Sequence, residues 1–120
     1  MKPLTPTESL QLLERTQSFQ DSEITSINIL SANEISLEIN TQDKSRAFDW
    51  IKIVLHFKDV IDAKLIQNTL LLDMSEGATI FFENENIIFG VGNYKNYISI
   101  KDSVLFLEAL SIKIEEFPFS

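Results

Sequence analysis

Few side chains in this sequence could do chemistry. The one histidine, His56, stands before Asp59 and Asp62. An imidazole with two carboxylates is the least from which a divalent-metal site or an oriented general base could be built. The spacing works against both uses. In an extended segment, residues 56 and 59 point to opposite faces, so only a sharp bend after Phe57 could bring them together. A metal site also needs more converging ligands than these. The expectation is therefore no metal site and no catalytic residue, with His56 half exposed between Val54 and Lys58.

Acidic pairs are the next candidates: Asp73 with Glu76, Glu83 with Glu85, and Glu115 with Glu116. Two carboxylates can share general acid–base work, as in glycoside hydrolysis, but that chemistry needs a cleft with aromatic platforms, and no such cleft is evident here. Exposed charges at hairpin tips and sheet edges account for the same residues. Gly90-Val91-Gly92-Asn93 lacks the third glycine of a dinucleotide loop and reads as a bulge or a close backbone approach. Ser75-Glu76-Gly77 is not a nucleophile elbow, and no second histidine could serve a serine. With no cysteine, thiolate chemistry, disulfides and cysteine zinc sites are excluded.

One loop gathers contact chemistry. Asn93-Tyr94-Lys95-Asn96-Tyr97 holds both tyrosines of the chain, and tyrosine offers a large contact area at small entropic cost. The alternative is a tyrosine pair packed on the sheet with only its hydroxyls exposed. Glu76, Glu83, Glu85, Tyr94 and Tyr97 are the expected protein-contact residues, because two turns and this loop could gather on one side.

The elements that must position them follow from hydropathy. In Phe48–Val60, Ile51, Ile53, Leu55 and Phe57 fall on one face, and Trp50, Lys52, Val54, His56 and Lys58 on the other. That period of two gives a long strand with one buried face, as in antiparallel sheets. Thr5-Pro6-Thr7-Glu8 is a capping-box start for a helix running to about Ser18. Leu10, Leu13, Leu12 and Phe19 should face the sheet, and the helix should cover Trp50 and Val54. Hairpins are expected over 24–31 and 34–41, around Ser31-Ala32-Asn33, and over 78–83 and 87–91, around Asn84-Glu85-Asn86. Asp59–Asp62 should be a bend, 63–68 is open between helix and extended chain, and Leu70, Leu72 and Met74 resume a strand. Glu76-Gly77 is a turn, 97–100 a short strand, 104–109 a weak helix capped by Asp102-Ser103, and 110–115 the final strand. The result is a single α+β domain over 1–120: a mainly antiparallel twisted sheet of about six to eight strands with an N-terminal helix packed on one face.

Ten basic residues against eighteen acidic ones give a net charge of −8. Such a surface disfavours nucleic acid and anionic membranes and favours a cationic partner. No leader-like or membrane-spanning apolar run is present, which points to a cytoplasmic, bacterial-type protein. The expected function is a non-catalytic protein-binding module, most concretely an immunity or antitoxin-type inhibitor of a basic toxin, working without a cofactor. The alternatives are a small-ligand or metal-dependent enzyme using His56, Asp59 and Asp62, and a homo-oligomer, such as a homodimer, pairing through a sheet edge or the Trp50 face.

Overall fold

A computed structural model describes residues 1–66 and 72–119. The chain is α+β, as expected. It comprises β1 (Lys2–Pro3), α1 (Pro6–Arg15), β2 (Ser22–Ser31), β3 (Glu34–Asp43), β4 (Asp49–Lys64), β5 (Leu72–Met74), β6 (Ala78–Glu83), β7 (Asn86–Val91) and β8 (Phe106–Pro118). All pairings are antiparallel, in the order β5-β2-β3-β4-β8-β7-β6, with β1 added to β8. The two ends of that order, β5 and β6, are joined by the short turn Ser75–Gly77. A tether that short forces the sheet to curl until its opposite edges nearly meet.

The inward-facing residues make the core. Ile51, Ile53, Leu55 and Phe57 of β4 are buried, as their alternation requires, against Leu37, Ile39, Leu107, Ile112 and Phe89. Leu4, Leu12 and Phe19 belong to the same cluster, so α1 packs on the inner side of the curl. Its start is as the sequence specifies: Thr5 Oγ1 accepts from the Glu8 N–H at 3.1 Å, with Pro6 in the first turn. The Glu8 carboxylate turns instead to Lys2, 3.1 Å away. Two expectations about this helix fail. Its buried side is Ser9 and Leu12, with Leu13 half-buried, and Leu10 lies a half-turn away in solvent, 71% exposed. Trp50, on the outer face of β4, is not covered by the helix and is 41% exposed. The cause is the curl: the inward face of β4 leaves room for only one layer, and the helix takes it.

The helix ends at Arg15, not Ser18, because Gln17, Ser18 and Phe19 adopt φ of 54°, 55° and 59°, a single left-handed turn. Left-handed geometry costs about 1–2 kcal/mol per non-glycine residue, so the surroundings must impose it. Phe19 is fully buried and meets the Phe89 ring edge-on at 6.4 Å. Thr16 Oγ1 accepts from the Phe19 N–H, and the Ser18 carbonyl accepts from the Ala78 N–H at 2.8 Å.

Two segments differ from expectation, and a third bends as expected without breaking the strand. Asp59–Asp62 does not end the strand; Asp59 has φ 56° and a bulge between Val60 and Asp62 bends β4 while its pairing with β8 continues to Lys64. Within 63–68, residues 63–64 are strand, while 67, 68 and the strand position Leu70 lie outside the described residues. The expected strand at 97–100 is a 3-10 turn, Ser99–Asp102, and the expected helix at 104–109 is the start of β8. Val104 and Phe106 already disfavoured a helix there, and pairing with β4 and β7 decided the matter. Among the described residues, no helix is long and apolar enough to cross a membrane.

Candidate protein-binding surface

The lone imidazole is committed elsewhere. His56 Nε2 lies 3.2 Å from Glu115 on the outer face, Asp62 pairs with Lys101 at 3.1 Å, and Asp59 is exposed on its own. Among the described residues, no three His, Cys, Asp or Glu side chains converge closely enough to hold a metal ion.

The five expected contact residues do not gather on one side: four form two pairs at opposite ends of the β6–β7 hairpin, and Tyr97 belongs to neither. Glu76 and Tyr94 line a small groove of about 210 Å³ with Asp73, Asp102 and the exposed Val104. Gly92 permits this arrangement: its φ is 113°, and a Cβ there would lie 2.9 Å from the Tyr94 ring. Thr79 Oγ1 donates to the Gly92 carbonyl at 2.7 Å and accepts from the Tyr94 N–H at 3.2 Å, fixing the loop. Glu83 and Glu85 occupy the far end, with Glu85 in the turn itself.

Tyr97 belongs to a second cluster. Its ring packs with Tyr94 and Phe81 on Ile88, Ile100 and Phe106, a small outer core covered by the 92–103 loop. Gly90 makes room for that cover, since any Cβ would overlap the Ile100 side chain. The Tyr97 hydroxyl donates to the largely buried Glu108 carboxylate, which also receives Lys101 at 3.2 Å. Burial, reinforced by the bond to Glu108, holds the Tyr97 phenol well above its usual range. The Asp62 and Glu108 carboxylates raise Lys101 in turn. Both tyrosines thus pack their rings on the sheet, and Tyr97 also has its hydroxyl engaged.

Residues that composition alone did not single out complete the surface. Every cation on a strand lies on β1, β4 or β8: Lys2, Lys52, Lys58, Lys64 and Lys113. Of the wing strands, β5, β2, β3 and β6 carry carboxylates and no cation, and β7 carries no charged residue. Some of these are neutralised, Glu38 by Lys52 at 3.2 Å and buried Asp43 by Arg15 at 2.6 Å. Among the described residues, Asp21, Glu23, Asp73, Glu76, Glu83 and Glu85 form no ion pair. The sequence held the signal in plain view: no Lys or Arg occurs between Arg15 and Lys44, or between Lys64 and Lys95.

Three of these acids are held against stability. Glu23 of β2 stands directly opposite Asp73 of β5, with Asn40 on its other side. Like charges in such register repel. Asn84 and Glu85, with φ of 51° and 68°, form a two-residue hairpin turn of the type in which glycine is preferred at the second position. Glutamate there is strained, and strain of this kind clusters at functional sites.

No family model matches this chain, and neither a curated protein nor a solved structure matches it.

Proposed function

We propose that the chain is a non-catalytic protein-binding module whose acidic seam, where the two wings of the sheet meet, takes up a cationic partner. The observation that carries this reading is the lack of any Lys or Arg on the wing strands, with Glu23 and Asp73 set face to face. A fold selected for stability alone would place a lysine at one of those positions, gaining about 0.2–1 kcal/mol per cross-strand pair. An acidic field of this kind raises the encounter rate with a basic protein and disfavours anionic ones. Glu76 and Tyr94, with Asp73 and Asp102 beside them, are the contact centre, and Glu83, Glu85 and Tyr97 extend it along the hairpin.

An immunity-type inhibitor of a basic toxin, acting in a bacterial cytoplasm, is the biological setting in which this surface has an evident use. Carboxylates there occupy the sites where a nuclease would hold phosphates. The test is association with cationic effectors encoded beside its gene, measured at about 20 and about 150 mM salt, across which surface charges become screened. Wild type should associate more slowly at the higher salt, and Asp73→Lys should bind more weakly while folding at least as stably. Binding that is indifferent to both salt and charge reversal refutes the proposal.

A further inference from the structure

The open edge of β6 borders a groove of about 760 Å³ lined by Leu13, Gln17, Gln20, Glu76, Ile80 and Phe81, among others. Among the described residues, β6 is the last strand of the sheet and pairs only with β7. Glu83 and Asn86 flank the two-residue turn, so the pairs 83–86, 81–88 and 79–90 are the hydrogen-bonded ones. The main-chain groups of Ala78, Ile80 and Phe82 therefore point away from β7, toward the groove. The first of these rungs is made, Ala78 N–H to the Ser18 carbonyl. The chain then leaves through its left-handed turn. Among the described residues, no main-chain group pairs with Ile80 or Phe82 on this side.

We infer that this edge accepts an extended, lysine- or arginine-bearing segment of the partner as an added strand, continuing the ladder that Ser18 begins. The inference rests on the proposed binding function and specifies how the partner docks. Main-chain hydrogen bonds to Ile80 and Phe82 supply sequence-tolerant affinity, and alternate side chains supply selectivity. One set of side chains lies beside Ile80, Phe82 and Leu13 and must be apolar. The other lies beside Thr79, Phe81 and Glu83. No cation lines the groove, Glu76 stands at one end of the strand and Glu83 at the other, so the outward positions favour basic residues. A lysine on an exposed edge strand is a common guard against such pairing, and β6 carries none.

The experiment is an amide NMR titration of the full chain with acetylated, amidated (Lys-Val)₄, and with (Glu-Val)₄ as the charge control. The lysine peptide should shift the Ile80 and Phe82 amides and protect them from exchange, and the glutamate peptide should not. Phe82→Pro, which removes one edge donor and leaves the β7 ladder intact, should bind the lysine peptide about tenfold more weakly, the scale of one good hydrogen bond. If that variant does not fold, the wild-type map alone decides. Shifts confined to Asp73, Glu76, Tyr94 and Asp102 would overturn strand addition and leave the acidic binding surface standing. Equal response to both peptides would also overturn it, and silence throughout the wings would remove both.

Discussion

Gly77→Ala should be among the most damaging single-methyl changes this protein can suffer. Gly77 sits in the turn joining β5 to β6 with φ 77°, and a Cβ there would overlap the Ser18 carbonyl oxygen, main chain that itself bonds the Ala78 N–H. An alanine held left-handed costs about 1–2 kcal/mol. Overpacking against an atom that cannot swing aside costs about 1–3 kcal/mol more. The lower entropy of alanine in the unfolded chain returns about 0.5–1 kcal/mol. The net is a loss of about 1–4 kcal/mol. Urea unfolding reads it as a lower midpoint at unchanged slope. Ser18→Gly in the same background should not rescue it, because the obstructing atom is a main-chain oxygen that glycine keeps. A loss below about 1 kcal/mol, or rescue by Ser18→Gly, would refute the claim that the seam is closed by main-chain contact at this point.

Glu85→Gly should raise stability by about 0.5–1 kcal/mol in thermal or urea unfolding, since glycine relieves the left-handed strain at the hairpin turn at a smaller entropic cost. Asp43→Asn should cost about 2–4 kcal/mol, because the buried carboxylate that receives Arg15 and Ser45 becomes an amide and Arg15 loses its main partner. Arg15 holds the Asp43 carboxyl down to about 2, against 3.8 unperturbed. The stabilisation is therefore complete above pH 4 and disappears as pH falls from 3.8 toward 2, a loss of about 2 kcal/mol that the asparagine variant should lack in acid unfolding. Tyr97 is an acid whose folded pKa is raised above 10.0, so its contribution is present below pH 10 and is lost above it. A phenolate absorbance titration of native protein should show Tyr97 resisting ionisation there, and Tyr97→Phe should remove that resistance.

Much of the fold was legible because it depends on local periodicity. The run Ile51-Ile53-Leu55-Phe57 could only be a strand with one buried face, and Thr5-Pro6 could only begin a helix. Both hairpins were visible in their turn residues, although the second closes on two residues where three were expected. Segments whose state depends on distant pairing were not legible. Phe106–Ala109 is strand because β4 and β7 flank it, and Gln17–Phe19 is left-handed because Phe19 must reach Phe89 while Ser18 reaches Ala78. Neither partner is near in sequence. The candidate surface shows the same division. Glu76, Glu83, Glu85, Tyr94 and Tyr97 could be picked out by residue type and turn position, but Glu23 opposite Asp73 exists only through the β2–β5 register, a contact across about fifty residues of chain.

The seam is where the costs of this fold accumulate. A sheet whose terminal strands are tethered by the Ser75–Gly77 turn must bring its edges together, yet β5 and β6 do not hydrogen-bond to each other; the 16–21 segment is wedged between them through Asp21 N–H to Met74 and Ala78 N–H to Ser18. Left-handed residues, a crowded glycine and unpaired carboxylates all fall within that wedge or beside it. Elsewhere the molecule resolves such costs, as Arg15 does for Asp43 and Glu116. A single lysine at position 23 or 73 would have relieved the seam without disturbing the core. Its absence sets stability against charge at one place in the molecule, and a cationic strand laid along β6 would satisfy the open rungs and the acidic field together.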